Sequence, residues 1–246
     1  MKIAVIIPTL NEEQALPGTL ASVTRRGFDE LIVVDGGSSD RTQEIVRDLP
    51  VRCSTFDVQP LPNLEPRTSN SIILLTSAPG RARQMNAGAS HSRADVLLFL
   101  HADTSLPGEA RQAIEQALGD PVCVGGRFDV RFERDTGLAW LIARLISLRS
   151  RWSGIATGDQ AIFVRREVFG KLGGFTDIPI MEDVDFTRRL KHAGRTASLR
   201  TLVVTSYRRW ERCGAFRTIG LMWALRFLYW VGVNPHKLKD VYALVR

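Results

Sequence analysis

The 246-residue chain is expected to fold as an α/β protein, with a mixed, mainly parallel sheet flanked by helices and a C-terminal amphipathic or hydrophobic helix. Three observations lead there. Apolar runs of strand length recur at residues 3–7, 31–34, 72–75 and 96–100, polar-faced segments of helical length separate them, and the runs are continuous rather than alternating. A strand that is apolar at every position is buried on both faces, as happens when helices cover a parallel sheet above and below.

The first run follows a single Lys and enters Pro8; it is too short for a secretory core and lacks a small-residue cleavage site, so it reads as a strand. The second ends at Asp35 before Gly36-Gly37. Between residues 57 and 71, Pro60, Pro62 and Pro66 interrupt any periodicity, which marks a loop, either an exposed insertion or a lid. The run at 72–75 leads through a Pro79-Gly80 turn to a helix starting near Arg81. The run at 96–100 ends at His101-Ala102-Asp103. In the second half, Gly125-Gly126-Arg127 precedes what reads as a short edge strand, and a further strand covers 160–164. After a Gly173-Gly174 turn comes a helix over 182–192. Gly194 stops that helix, and Glu182 and Asp183 complement its N-terminal dipole. A last strand spans about 197–204.

Charge and cysteine usage narrow the classes. The net charge is +7, but residues 188–217 hold nine Lys/Arg against the single acid Glu211, so the basic character is local. Such a stretch suits phosphates or an anionic lipid surface, or is a solvated face. Nucleic acid is not expected, because only Tyr207 and Trp210 interleave with the basic residues. Cys53, Cys123 and Cys213 are odd in number and widely spaced, which suggests neither a disulfide framework nor a zinc knuckle and points to a reducing, cytoplasmic setting. The longest apolar candidate, residues 219–233, includes Arg226 and falls short of the roughly 20 residues a spanning helix needs. Its Trp223, Phe227, Tyr229 and Trp230, flanked by Arg217, Lys237 and Lys239, suit a helix in a membrane interface, at the inner face of the membrane, or one buried against the protein's own core.

In open parallel sheets a ligand sits at the carboxyl ends of the strands, so Thr9, Asn11, Glu12, Asp35, Arg81, His101 and Asp103 should converge. No G-x-G-x-x-G follows the first strand, and the anionic stretch after Pro8 is unsuited to a pyrophosphate, which disfavours a dinucleotide oxidoreductase.

Taken in order, Pro8-Thr9-Leu10-Asn11-Glu12-Glu13, Val33-Val34-Asp35-Gly36-Gly37-Ser38-Ser39-Asp40, His101-Ala102-Asp103 and Glu182-Asp183 resemble the inverting glycosyltransferases of family 2, which have the Rossmann-like GT-A fold. The short chain and Gly80-Arg81-Ala82 are similar to a small bacterial subgroup linked with arsenosugar biosynthesis. The resemblance implies a single domain over 1–246, with a nucleotide-sugar donor half at 1–104, an acceptor and catalytic half at 105–214 and a helical extension at 215–246. It implies transfer of a sugar from a nucleoside diphosphate donor to an acceptor hydroxyl with inversion. Donor contacts would come from Pro8, Thr9, Asn11, Glu12, Asp35, Arg81, Asn86, Ala102, Asp103 and Arg209. Asp35 or Ser38 could equally cap the helix beginning near Asp40.

Asp103 matches the last acid of the family's Asp-X-Asp motif, whose carboxylates hold Mg²⁺ or Mn²⁺ on the diphosphate. His101 replaces the first acid. As a ligand, imidazole would tilt the site toward Mn²⁺; otherwise His101 bonds a phosphate or sugar hydroxyl and Asp103 is the one protein ligand. Asp183 matches the catalytic base, a role that contributes roughly a hundred- to ten-thousandfold. Gly126, Asp159, Glu182 and Trp210 are expected near the sugar and acceptor. Arg208-Arg209-Trp210 resembles a reduced form of the Arg-Trp motif of processive members, without its glutamine. The acceptor is open: Trp140, Leu141, Ile142, Leu145 and Ile146, near Arg144 and Arg149, suit a lipid or hydrophobic acceptor or a core helix. The competing readings are a sugar nucleotidyltransferase, which shares the α/β donor fold, and an inactive nucleotide-sugar-binding protein, suggested by His101.

Overall fold

The computed structural model describes residues 1–49, 53–57 and 71–245, so the proline-bearing loop expected between Asp57 and Ser71 lies outside the described residues. Parallel strands β1 (Ile3–Thr9), β2 (Glu30–Asp35), β3 (Cys53–Asp57), β4 (Ser71–Thr76) and β5 (Val96–Phe99) form one half of a sheet. The other half holds β6 (Thr104–Ser105), β7 (Cys123–Phe132), β8 (Ile162–Arg165) and β9 (Arg195–Thr205). The nine strands run in the order β3-β4-β2-β1-β5-β8-β7-β9-β6. The second half is mixed: β8 is antiparallel to β5 and β7, whereas β7 and β9 are parallel.

The continuous apolar strands are buried as their composition requires. Alternate residues face opposite layers. Ile3, Val5 and Ile7 pack with α1 (Leu16–Thr24), α2 (Thr42–Arg47) and α4 (Ala110–Leu118), whereas Ala4 and Ile6 pack with α3 (Arg81–His91), α6 (Arg166–Lys171) and α7 (Glu182–Ala193). On that second face Phe99, Phe169, Phe175 and Phe186 form an edge-and-tilt aromatic cluster, with Phe99 and Phe175 4.8 Å apart. α5 (Gly137–Ser153), α8 (Arg208–Cys213), α9 (Ala215–Trp230) and α10 (Pro235–Val245) complete the chain.

Two expectations change. The segment around Gly125-Gly126 is no short edge strand: β7 has ten residues and lies inside the sheet between β8 and β9. The glycines permit this, since a methyl group on Gly125 would sit 2.5 Å from the Phe163 carbonyl oxygen and one on Gly126 2.4 Å from that of Ala197. The C-terminal extension is not one helix. α9 ends near Gly232, whose φ of 91° turns the chain, and α10 packs back so that Leu225 and Leu238 are buried with Ile180 and Met181. No described helix is long and apolar enough to cross a membrane.

Candidate functional site

A cleft of about 710 Å³ opens at the carboxyl ends of β1 and β5. Its position follows from topology. The chain leaves β1 on one side to form β2 and reaches β5 on the other, so a crevice forms where the strand order reverses. Because β8 runs antiparallel to β5 with Ile162 opposite Phe99, the residues entering β8 necessarily lie beside those leaving β5. This brings Gly158 against His101: a methyl group on Gly158 would lie 2.2 Å from the imidazole Nε2.

One end of the cleft is polar, lined by Asn11, Glu12, Arg81, His101, Asp103 and Asp183. Asp183 stands in the first turn of α7, where Oδ2 accepts from the Gly158 amide at 2.8 Å and Oδ1 from the Val184 amide at 2.7 Å. Met181, at φ 69°, makes the left-handed turn that starts this helix. Asp103 accepts a long bond from Thr104 Oγ1 and has no cationic partner among the described residues. Asp159 also lines the cleft, with Oδ1 enclosed and without a hydrogen-bond partner among the described residues.

Glu182 goes elsewhere. It is 1% exposed, does not line the cleft, and accepts the Arg81 Nε at 2.7 Å through Oε1, while Oε2 is enclosed without a partner among the described residues. Arg81 is 42% exposed and reaches the cleft above it. Burial raises the Glu182 pKa to about 7, against the pull of Arg81, and Asp183 adds to the rise. Arg81 is held above its ordinary value chiefly by Glu182. Burial, and then the charge of Arg81, push His101 down, with partial offset from Asp103, which favours the neutral imidazole. A neutral imidazole beside an unpaired carboxylate is a donor pair suited to a divalent ion that takes its other positions from diphosphate oxygens and water. No cluster of three or more such side chains is arranged for a metal among the described residues.

The remaining expected residues divide. Asn11 (φ 55°) lines the cleft and is braced by the Ser39 amide donating to its Oδ1 at 2.8 Å. Glu12 lines it beside Arg208, 3.6 Å away. Trp210 lines it while packing on Phe132 and Tyr207. Asp35, in contrast, is 0% exposed, and its carboxylate closes the following loop by accepting from the amides of Gly37 and Ser38, the Ser38 hydroxyl and Gln43 Nε2. Pro8, Thr9 and Ala102 are buried beneath the cleft, and the Ala102 carbonyl accepts from Thr19 Oγ1. Asn86 exchanges two hydrogen bonds with the Phe175 backbone, at 2.8 and 2.9 Å, and so ties α3 to the loop before α7. Gly126 is inside the sheet. The Arg209 side chain lies outside the described residues; its neighbour Arg208 reaches the cleft.

The other end of the cleft is apolar, lined by Leu145, Leu148, Trp152, Ile219, Met222 and Trp223 from α5 and α9, and Arg149 and Arg226 stand among them. From the sequence Arg149 stands only near a segment suited to a hydrophobic acceptor and Arg226 only as an interruption of an apolar run, because nothing there sets the rotation of α5 against α9.

Residues 4–175 match the model of glycosyl transferase family 2. The chain is 30% identical over 200 residues to a PGL/p-HBAD biosynthesis glycosyltransferase of Mycobacterium bovis, covering 76% of this chain and 68% of that one. It is 27% identical over 213 residues to a probable glycosyltransferase, YdaM, of Bacillus subtilis, covering 78% of this chain and 47% of that one. The fold is similar to that of a mannosyltransferase from Pyrobaculum calidifontis solved with GDP-Man and Mn²⁺, with a TM-score of 0.59 at 19% identity, over 83% of this chain and 56% of that one. The chain thus spans about half the length of the Bacillus relative.

Proposed function

Since the chain belongs to glycosyl transferase family 2, we propose that it moves a sugar from a nucleoside diphosphate donor to an acceptor hydroxyl with inversion, Asp183 acting as general base. The observation that carries this reading is the Asp183 carboxylate, open to the same cleft as Asp103, His101 and Arg81 and oriented by the Gly158 amide. A donor diphosphate takes the polar end, where Arg81 offers a guanidinium to its oxygens. Asp103, with His101, would hold Mn²⁺ or Mg²⁺, which would offset the charge growing on the leaving diphosphate. Asp183 accepts the proton of the attacking hydroxyl from the opposite side of the anomeric carbon. Residues 1–104 carry the donor, 105–214 the catalytic and acceptor side, and 215–246 extend that side. Glu182 acts beneath the surface by holding Arg81.

The acceptor in this reading is lipid-like, supported by the apolar end of the cleft, by exposed Trp152 and Trp223 lining it and by exposed Phe227 and Trp230 on the same helix as Trp223, which suit a protein working against a membrane surface. The reading is tested by thermal stabilisation across a panel of nucleoside diphosphate sugars with Mn²⁺, Mg²⁺ or chelator. A true donor at a hundredfold excess over its dissociation constant adds about 2.7 kcal/mol. Stabilisation by one donor together with its transfer is the expected result, with Asp183→Asn losing the transfer and keeping the stabilisation; no stabilisation by any donor overturns it.

A further inference from the structure

The mechanism above leaves two arginines of the cleft unused. Arg149 has Nε and Nη2 enclosed by protein with no hydrogen-bond partner among the described residues. Arg226 lines the same cleft, and neither arginine is in an ion pair among the described residues. Guanidinium nitrogens withdrawn from water without an acceptor, as those of Arg149 are, are costly, and a second unneutralised cation lining the same cleft adds to the cost. Burial and then the charge of Arg226 lower the Arg149 pKa to about 10, while Asp159 and Asp183 pull the other way. The two cations and two acids therefore feel one another across a single cavity.

Helical phase shows what accompanies the cations. On α5, Leu145 is four residues before Arg149 and Trp152 three after; on α9, Met222 and Trp223 are four and three before Arg226. Residues so spaced share a helix face. Each arginine thus lies within or at the end of an apolar stripe that also lines the cleft, and the stripes include Trp152, 95% exposed, and Trp223, 63% exposed. The cleft that holds the Asp159 and Asp183 carboxylates thus also presents two guanidinium groups in no ion pair among the described residues, together with hydrocarbon and indole surface open to solvent.

We propose that this band is the binding subsite for an amphiphilic acceptor, a hydrocarbon chain joined through a phosphate ester or diphosphate to a hydroxyl-bearing head, with the phosphate between Arg149 and Arg226. The planar fork of arginine suits phosphate oxygens, and the enclosed Nε and Nη2 gain the acceptors they lack. The tail lies along Leu145, Leu148, Trp152, Met222 and Trp223, and the head hydroxyl faces Asp183. The inference rests on the transferase reading and gives its acceptor a chemical class. The donor's own diphosphate is met at the far end of the cleft, by Arg81 and the Asp103 region.

The test titrates octyl phosphate, octanol and inorganic phosphate into the full chain, following tryptophan fluorescence and heat, alongside donor thermal stabilisation. Octyl phosphate is expected to bind at least about tenfold more tightly than either fragment, since charge-assisted bonds are the stronger kind. The double variant Arg149→Gln/Arg226→Gln should lose that advantage yet bind octanol and donor as before, which also reports that it is folded. The double lysine variant, which keeps the charges, should retain part of the advantage. Equal binding of octyl phosphate and octanol to the wild type overturns the phosphate subsite. Inorganic phosphate binding as tightly as octyl phosphate overturns the amphiphile. Loss of donor stabilisation in the glutamine variant assigns the arginines to the donor and also overturns it. Octyl phosphate binding without any donor stabilisation supports the subsite while removing the transferase reading, so the two fail separately.

Discussion

The Gly158 amide donates to Asp183 Oδ2 at 2.8 Å, joining the loop that enters β8 to the first turn of α7 across 25 residues of sequence. With the Val184 amide on Oδ1, each carboxylate oxygen keeps one lone pair for the cleft. The group is held in place by backbone amides and is in no ion pair among the described residues.

Asp183→Asn keeps the volume and one accepting oxygen. Transfer should fall roughly a hundred- to ten-thousandfold while donor stabilisation is unchanged. Parallel turnover and melting measurements check this, and an equal loss of donor binding would remove the assignment.

Asp103→Ala should abolish the part of donor stabilisation that depends on Mn²⁺ or Mg²⁺ and leave the part seen with chelator. A variant with the same metal response as the wild type would exclude Asp103 as a ligand.

Gly158→Ala would press a methyl group on the His101 ring from 2.2 Å. The strain should cost about 1–3 kcal/mol, as overpacking does, and disturb Asp183 through the shared amide. Trimming the ring in a His101→Ala/Gly158→Ala double variant should restore melting temperature but not donor binding; a single variant as stable and active as wild type would refute the contact.

Glu182 has a folded-state pKa raised from 4.5 to about 7. Its contribution to stability is therefore complete below about pH 4.5 and is lost as pH rises through 7. Glu182→Gln removes this titration, so melting curves from pH 4.5 to 8 should show the wild type losing ground steadily to the variant. A difference independent of pH would mean that Glu182 ionises at its ordinary value.

Much of this was legible in the sequence because it is local. Continuous apolar runs such as 96–100 can only be doubly covered strands, and the ordered motifs carried Asp103 and Asp183 to one cleft. The rest depends on partners far along the chain. Glu182 and Asp183 are adjacent acids at a helix start, yet only the docking of α3 decides that Glu182 turns inward to Arg81 and Asp183 outward. β7 was obscured because Arg127, Asp129 and Arg131 interrupt its apolar pattern; burial of Arg127 is made tolerable by Asp129, 3.7 Å away. Asp35 looked like a ligand group because its alternative, closing the Gly36–Ser39 loop, uses the same carboxylate.

Gln84, in α3, is buried, and its Nε2 donates to the carbonyls of Thr9 at 2.7 Å and Val34 at 2.8 Å. One amide group thereby rivets the ends of β1 and β2 to the helix that carries Arg81. These segments resist loosening independently, since pulling α3 away leaves the buried Gln84 amide without its acceptors. The floor of the polar end should therefore exchange its amide hydrogens as a single cooperative unit, with the slack for a ligand to enter and leave drawn from the α5 and α9 side.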